Sequence, residues 1–308
     1  MPDINLSRSI LINAPAAKVY QSVADLNHWT TWSPWLIMEP EASVNVERGG
    51  NYYEWDGHRV GSGNMQVTNQ HENNRVDYDL TFLKPWKSEA NVRFEVKEKD
   101  ENTTEATWYM DSKLPFYLFW MKKQMEAWVG MDYERGLRML KDFAEKDEIE
   151  SNLLFGDVTV YPGCRYAGIK TECTLDQLGD RMGEDFGRLG QFFDDKKEMI
   201  AGDAFAIYHQ FDIVKDRAVY TAALPLSDLQ ADLPVEYATG EIPKTQIKTL
   251  THVGRYEHLG NAWSTLYAME RNKEFKRNKK VDPFEVYRNM PGQVPDKELV
   301  TEVNFPVK

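Results

Sequence analysis

The sequence predicts an α+β protein in two parts, an antiparallel sheet curved around one long helix and then two tandem strand-helix-strand-strand units. Three observations lead there. Of the nine tryptophans, Trp263 alone falls after residue 150. A polar stretch from Glu145 to Asn152 separates a helical pattern from a strand pattern. Residues 151–308 also contain an internal repeat. The boundary therefore sits near 151, with one domain over 1–150 and a second over 151–308.

The first part opens on a strand, Arg8 to Asn13, followed by a helix that Pro15 leads, since proline at a first turn loses no needed N–H. Val19, Tyr20, Val23 and Leu26 recur in it at helical spacing. Five segments rich in β-branched and aromatic residues follow: Tyr52–Trp55, Gly63–Thr68, Arg75–Phe82, Ala90–Val96 and Glu105–Met110. Turn residues such as His71-Glu72-Asn73-Asn74 separate them, which predicts an antiparallel meander. A long helix, Tyr117 to Lys146, closes the part with Met121, Met125, Trp128, Val129, Leu137, Leu140 and Phe143 mostly on one face.

Ile10-Leu11-Ile12-Asn13-Ala14-Pro15 leading into a helix, then Asp25-Leu26-Asn27-His28-Trp29-Thr30-Thr31-Trp32-Ser33-Pro34-Trp35, with the closing helix, resembles the START/polyketide-cyclase-like SRPBCC superfamily over most of 1–147. The resemblance implies a helix-grip fold whose sheet and helix line an apolar ligand cavity, with no catalytic motif common to the superfamily. Trp29, Trp32 and Trp35 read first as core and loop packing, and as a ligand wall second.

The repeat in the second part pairs Phe205-Ala206-Ile207-Tyr208 with Phe284-Glu285-Val286-Tyr287, each followed by an apolar strand that carries a proline, Pro225 and Pro306. Upstream, Tyr166-Ala167-Gly168-Ile169 and Thr251-His252-Val253-Gly254-Arg255-Tyr256 each precede a helix, from Thr174 and from about Asn261. Two βαββ units cannot each bury a sheet face alone, so they are expected to pair about a pseudo-twofold axis with a ligand groove between them. Thr174 and Gln177 predict a capping box for the first helix. Gly179, Gly183, Gly187 and Gly190 punctuate that helix, which suggests close approach of another helix, the other domain or a ligand. The basic run Phe275 to Lys280 reads as a solvated loop.

These motifs, with Glu302-Val303-Asn304-Phe305-Pro306-Val307, resemble the GyrI-like effector-binding domain over about 155–308. The resemblance implies an aromatic-lined pocket with a buried glutamate, in a family that includes drug-sensing modules, gyrase-inhibitory proteins and some hydrolases. Alternation puts Glu285 and Tyr287 on one strand face and Phe284 and Val286 on the other, and Glu285 best matches the family's glutamate. Tyr208, Tyr256, Trp263 and Tyr287 are the candidate walls, and His209 is a candidate base. The bland alternative leaves Glu285 on the surface, paired with Arg288 or a lysine.

Charge and cysteine usage narrow the functions. The net charge of −12 splits as 17 Lys and Arg against 25 Asp and Glu before residue 151 and 20 against 24 after it, so neither half suits a polyanion and direct nucleic-acid binding is not expected. No helix-turn-helix pattern flanks the second part. A strand between Cys164 and Cys173 would hold them about 30 Å apart, too far for a disulfide. Free thiols and the missing leader and spanning segment give a cytoplasmic reading with no membrane partner. The six scattered histidines, His252 and His258 the nearest pair, suggest no metal site, and no cofactor is expected. The leading expectation is a protein that senses or sequesters hydrophobic or amphipathic, cationic small molecules. A hydrolase or cyclase using Glu285, and a protein-interaction module or homodimer, remain the alternatives.

Overall fold

Residues 3–227, 233 and 237–308 are described by a computed structural model, in which the chain divides into two units, Met1–Asn152 and Leu153–Lys308. In the first, β1 (Asp3–Ile12), α1 (Ala16–Ala24) and α2 (Leu26–Trp32) precede β2 (Ser43–Glu47), β3 (Tyr52–Gly57), β4 (Gly61–His71), β5 (Arg75–Lys84), β6 (Ser88–Asp100) and β7 (Thr103–Lys113), and α3 (Lys122–Lys146) follows. The strands lie in the order β1-β7-β6-β5-β4-β3-β2. Six of them match strands read from the sequence, β1 as Arg8 to Asn13 and β3 to β7 as the five later segments. The short β2, with only Val44 and Val46 alternating, went unread.

Local chemistry sets the helix boundaries. Pro15 starts α1 by accepting from the amides of Lys18 and Val19 at 3.0 and 3.2 Å. Asp25 ends it and starts the next, its side chain capping the Asn27 amide at 2.9 Å. The long helix begins five residues later than its periodicity suggested, because Pro115 opens a 3-10 segment over Phe116–Met121 instead.

Trp108, fully buried on β7, organises the core of this unit. Its ring stacks on Tyr133 of α3 at 3.8 Å and on Phe94 of β6 at 4.8 Å, while Trp29, Trp32 and Trp35 meet it edge-on at 5.4 to 5.9 Å. The tryptophan trio thus packs around Trp108 between sheet and α3. Gly136 lets α3 come this close, since a Cβ there would stand 2.8 Å from the Trp108 ring and 3.0 Å from Pro34. A hollow of about 420 Å³ is lined by Thr30, Leu36, Ile37, Val44 and Met139 among others.

The second unit runs β8 (Ser151–Tyr161), β9 (Cys164–Cys173), α4 (Leu178–Phe192), β10 (Phe205–Asp212), β11 (Arg217–Pro225), β12 (Ala238–Ile242), β13 (Thr245–Gly254), α5 (Gly260–Arg271), β14 (Phe284–Tyr287) and β15 (Val300–Val307). The two βαββ repeats share one sheet, ordered β12-β9-β11-β10-β14-β15-β13-β8. Reading outward from the β10–β14 pair, each strand meets its repeat mate on the other side, so the expected pseudo-twofold relation holds. The strand that leads each repeat lies against the other repeat: β8 beside β13, and β12 paired with β9. Cys164 and Cys173 sit at opposite ends of β9, and both are free.

The capping box does not form. Thr174 donates to Asp176, Asp216 takes the Leu175 amide at 3.1 Å, and α4 starts only at Leu178 with no side-chain cap. Among the described residues, no helix is long and apolar enough to cross a membrane and no group of side chains could hold a metal ion.

The core of the first unit yields a direct expectation. Trp108→Ala removes the ring that five others contact, and it should lower unfolding free energy by about 3–5 kcal/mol. Urea denaturation followed by tryptophan fluorescence and far-UV circular dichroism measures the loss.

Candidate ligand-binding site at Glu285

At the centre of the second sheet, β10 and β14 pair with Ala206 directly opposite Glu285. The pseudo-twofold axis passes through this pair, so a glutamate in both repeats would set two carboxylates face to face, a destabilising arrangement. The alanine resolves it. Strand alternation then sends Phe284 and Val286 into an apolar cluster with Phe205, Ile207 and Ala223, and Glu285 with Tyr287 onto the other face.

Glu285 is 1% exposed. Tyr208 and Tyr287 donate their hydroxyls to its Oε2 at 2.9 and 2.6 Å, and the indole N–H of Trp263 donates to Oε1. No lysine, arginine or histidine forms an ion pair with it among the described residues. Arg288, the alternative partner in the sequence, is engaged instead by Asp203 and Glu302, each at 2.7 Å. Burial raises the carboxyl pKa above its ordinary value, and the three donors oppose that rise by favouring the charged form. The same surroundings push the phenols of Tyr208 and Tyr287 well up, and that of Tyr256 to about 12.

Four of the five sequence-derived binding residues thus meet in direct hydrogen bonds. Tyr256, in the 3-10 turn Tyr256–His258 before α5, adds a ring 5.7 Å from that of Tyr287. His209 is placed elsewhere: it occupies a bulge in β10 and is held by Asp282 at 2.8 Å and Thr221 at 2.8 Å, with no hydrogen bond to Glu285. The residues that sequence reasoning missed come from α4. Met182 receives the Tyr287 hydroxyl at 3.1 Å on its sulfur, and Phe186 meets the Tyr287 ring edge-on at 5.3 Å. Their four-residue spacing is that of a helix's buried stripe, and no local signal distinguishes a core residue from one that covers a site. Asp185, one turn along, binds Thr171 at 2.6 Å and Tyr220 at 2.8 Å and anchors α4 to β9 and β11.

The glycines of α4 have a different setting from the one expected. A Cβ at Gly179, Gly183, Gly187 or Gly190 would meet nothing within 4 Å, so no other described element of this unit packs on them. They weaken the helix without a packing return.

Against known proteins, residues 159–308 fit the family model described as the GyrI-like small molecule binding domain. The second half matches that family. Residues 3–145 fit the family described as polyketide cyclase / dehydrase and lipid transport, so each half carries a match to a family described by small-molecule or lipid ligands. Among solved structures, part of the chain is similar to the Bacillus cereus protein XoxI, at 16% identity over 45% of this chain and 93% of that one, with a TM-score of 0.36. It is also similar to the EcmrR C-terminal domain, at 17% identity over 50% and 98% with a TM-score of 0.39. A protein solved with tetraphenylphosphonium bound gives 15% identity over 50% and 94% and a TM-score of 0.40. No protein of curated function matches the sequence.

Two measurements test the site's physics. Gly183→Ala and Gly187→Ala should each raise stability by about 0.5–1 kcal/mol, read by thermal unfolding; a loss would mean that something packs on that face. Glu285 has a raised pKa in the folded state, so its contribution to stability is fully present below the unfolded value of 4.5 and is lost as pH rises through the folded value. The melting temperature of wild type relative to Glu285→Gln should therefore fall as pH rises above 4.5, and a pH-independent difference would contradict the raised pKa.

Proposed function

We propose that the GyrI-like half captures amphipathic organic cations at Glu285, as a sequestering protein or as the ligand-binding part of a sensor. The observation that supports this reading is a buried carboxylate with hydrogen-bond donors on both oxygens and no counter-ion among the described residues. Such a group is costly to keep ionised. A cation that enters beside it supplies the missing charge, and the faces of Tyr208, Tyr256, Trp263 and Tyr287 add cation–π attraction. A neutral ligand of the same shape gains only the apolar contact.

Access follows from the residues that cover the carboxylate. Met182 and Phe186 of α4 lie against Tyr287, so a ligand that reaches Glu285 from the α4 side displaces them. Four glycines with open space around them leave α4 about 1 kcal/mol weaker per position than alanine would. The energy of moving the helix is then set by its apolar stripe and by Asp185.

The three donors also favour capture over hydrolysis, since each occupies part of the carboxylate that a general base would offer to water. A hydrolase or cyclase acting through Glu285 would show itself as turnover of ester, epoxide or strained-ring substrates that Glu285→Gln abolishes.

Titration calorimetry with quaternary-amine dyes and tetraphenylphosphonium tests the proposal. Wild type should bind them with a Kd on the order of micromolar, about −8 kcal/mol. Glu285→Gln should weaken binding about tenfold or more, as expected for loss of a charge-assisted contact worth roughly 1.5–3 kcal/mol, while a neutral analogue of equal size loses much less. Equal affinities for the two proteins, with the fold intact, would overturn the assignment.

A further inference from the structure

The 3-10 segment Phe116–Met121 exposes four large aromatic residues: Phe116 at 73%, Tyr117 at 64%, Phe119 at 67% and Trp120 at 69%. A soluble surface tolerates single apolar residues, but a run of this kind marks a contact site. The neighbouring hairpin tip repeats the pattern. β6 and β7 pair with Ala90 opposite Ser112, so the register brings the β5–β6 turn alongside Leu114 and Pro115, and that turn exposes Leu83 and Trp86. Two aromatic tips therefore stand together at one end of the first sheet.

Charge identifies what covers them. Residues 83–87 and 113–123 hold five lysines, Lys84, Lys87, Lys113, Lys122 and Lys123, and no aspartate or glutamate, in a chain whose net charge is −12. Lys84 and Lys122 are paired with Asp56 and Glu126. Lys87, Lys113 and Lys123 form no ion pair among the described residues. A second copy of this chain would bring the same lysines to the contact and an apolar protein surface would leave them unanswered.

We propose that this end of the first unit is a docking surface for an anionic lipid bilayer. Tryptophan, tyrosine and phenylalanine favour the headgroup boundary, where a ring has both apolar and polar neighbours, and flanking lysines draw the surface to anionic lipid by about 1 kcal/mol each near the charged plane. The contact is peripheral: the segment lies on the membrane and does not span it. It departs from the expectation of no membrane partner, which rested on the missing leader and spanning segment, and it is independent of the reading of Glu285.

Co-sedimentation of the full chain with vesicles of phosphatidylcholine alone, and with one third phosphatidylglycerol, tests it. Wild type should pellet with the anionic vesicles, at least fivefold less with the neutral ones, and less again at 0.5 M salt. Phe119→Ser with Trp120→Ser should remove most of the binding, and Lys87→Gln with Lys123→Gln should reduce it while leaving every apolar residue in place. Wild type that stays in the supernatant with anionic vesicles, or a Phe119/Trp120 variant that binds as well, overturns the proposal. So does a wild-type dimer in light scattering that the same variant turns into a monomer, which would assign the patch to a second copy.

Discussion

Three cross-strand pairs, Phe205–Val286, Ala206–Glu285 and Ile207–Phe284, join the two repeats into a single sheet. Everything about the site follows from that junction. It places Tyr208 and Tyr287 on the same face and close enough to share one carboxylate oxygen. It lets α4 and α5, which belong to different repeats, supply Phe186 and Trp263 to the same small volume. It also forces the repeats to differ where they meet, because a twofold-related pair of glutamates would repel across one hydrogen-bonded rung.

That asymmetry is how a duplicated unit acquires a polar centre. Burial raises the cost of the Glu285 charge, while two phenols and an indole lower it, and an approaching cation favours the charged form. An apolar pair at the axis would make a more stable sheet and an inert one. The stacked rings around Trp108 show the other solution: in the first unit these buried aromatics pack against one another.

Much of this was legible in the sequence because it depended on period and repetition. Alternation in Phe284-Glu285-Val286-Tyr287 was enough to assign faces, and the missing carboxylate at Ala206 was visible from comparing the repeats. The parts that were not legible depend on contacts between distant segments. Thr174 had the right neighbour for a capping box, yet Asp216, some forty residues on, takes the adjacent amide and delays the helix. His209 beside Tyr208 looked available as a base until a bulge gave it to Asp282 and Thr221. Tyr117, Phe119 and Trp120 read as the first turn of a helix, although only tertiary structure could say that their rings would remain outside. In the same way, Met182 and Phe186 had a helical stripe's spacing, which says that they are covered and nothing about what lies beneath.

The crossed edges of the second sheet carry one more implication. Because β8 precedes the first repeat yet lies beside β13, and β12 precedes the second yet pairs with β9, each repeat borrows its outermost strand from the chain entering the other. Neither can be peeled away without stripping a border from its mate. The two copies are interlocked like clasped hands, so the whole sheet gains or loses its structure as one cooperative body, and a lone repeat produced by truncation would carry a raw, unpaired edge.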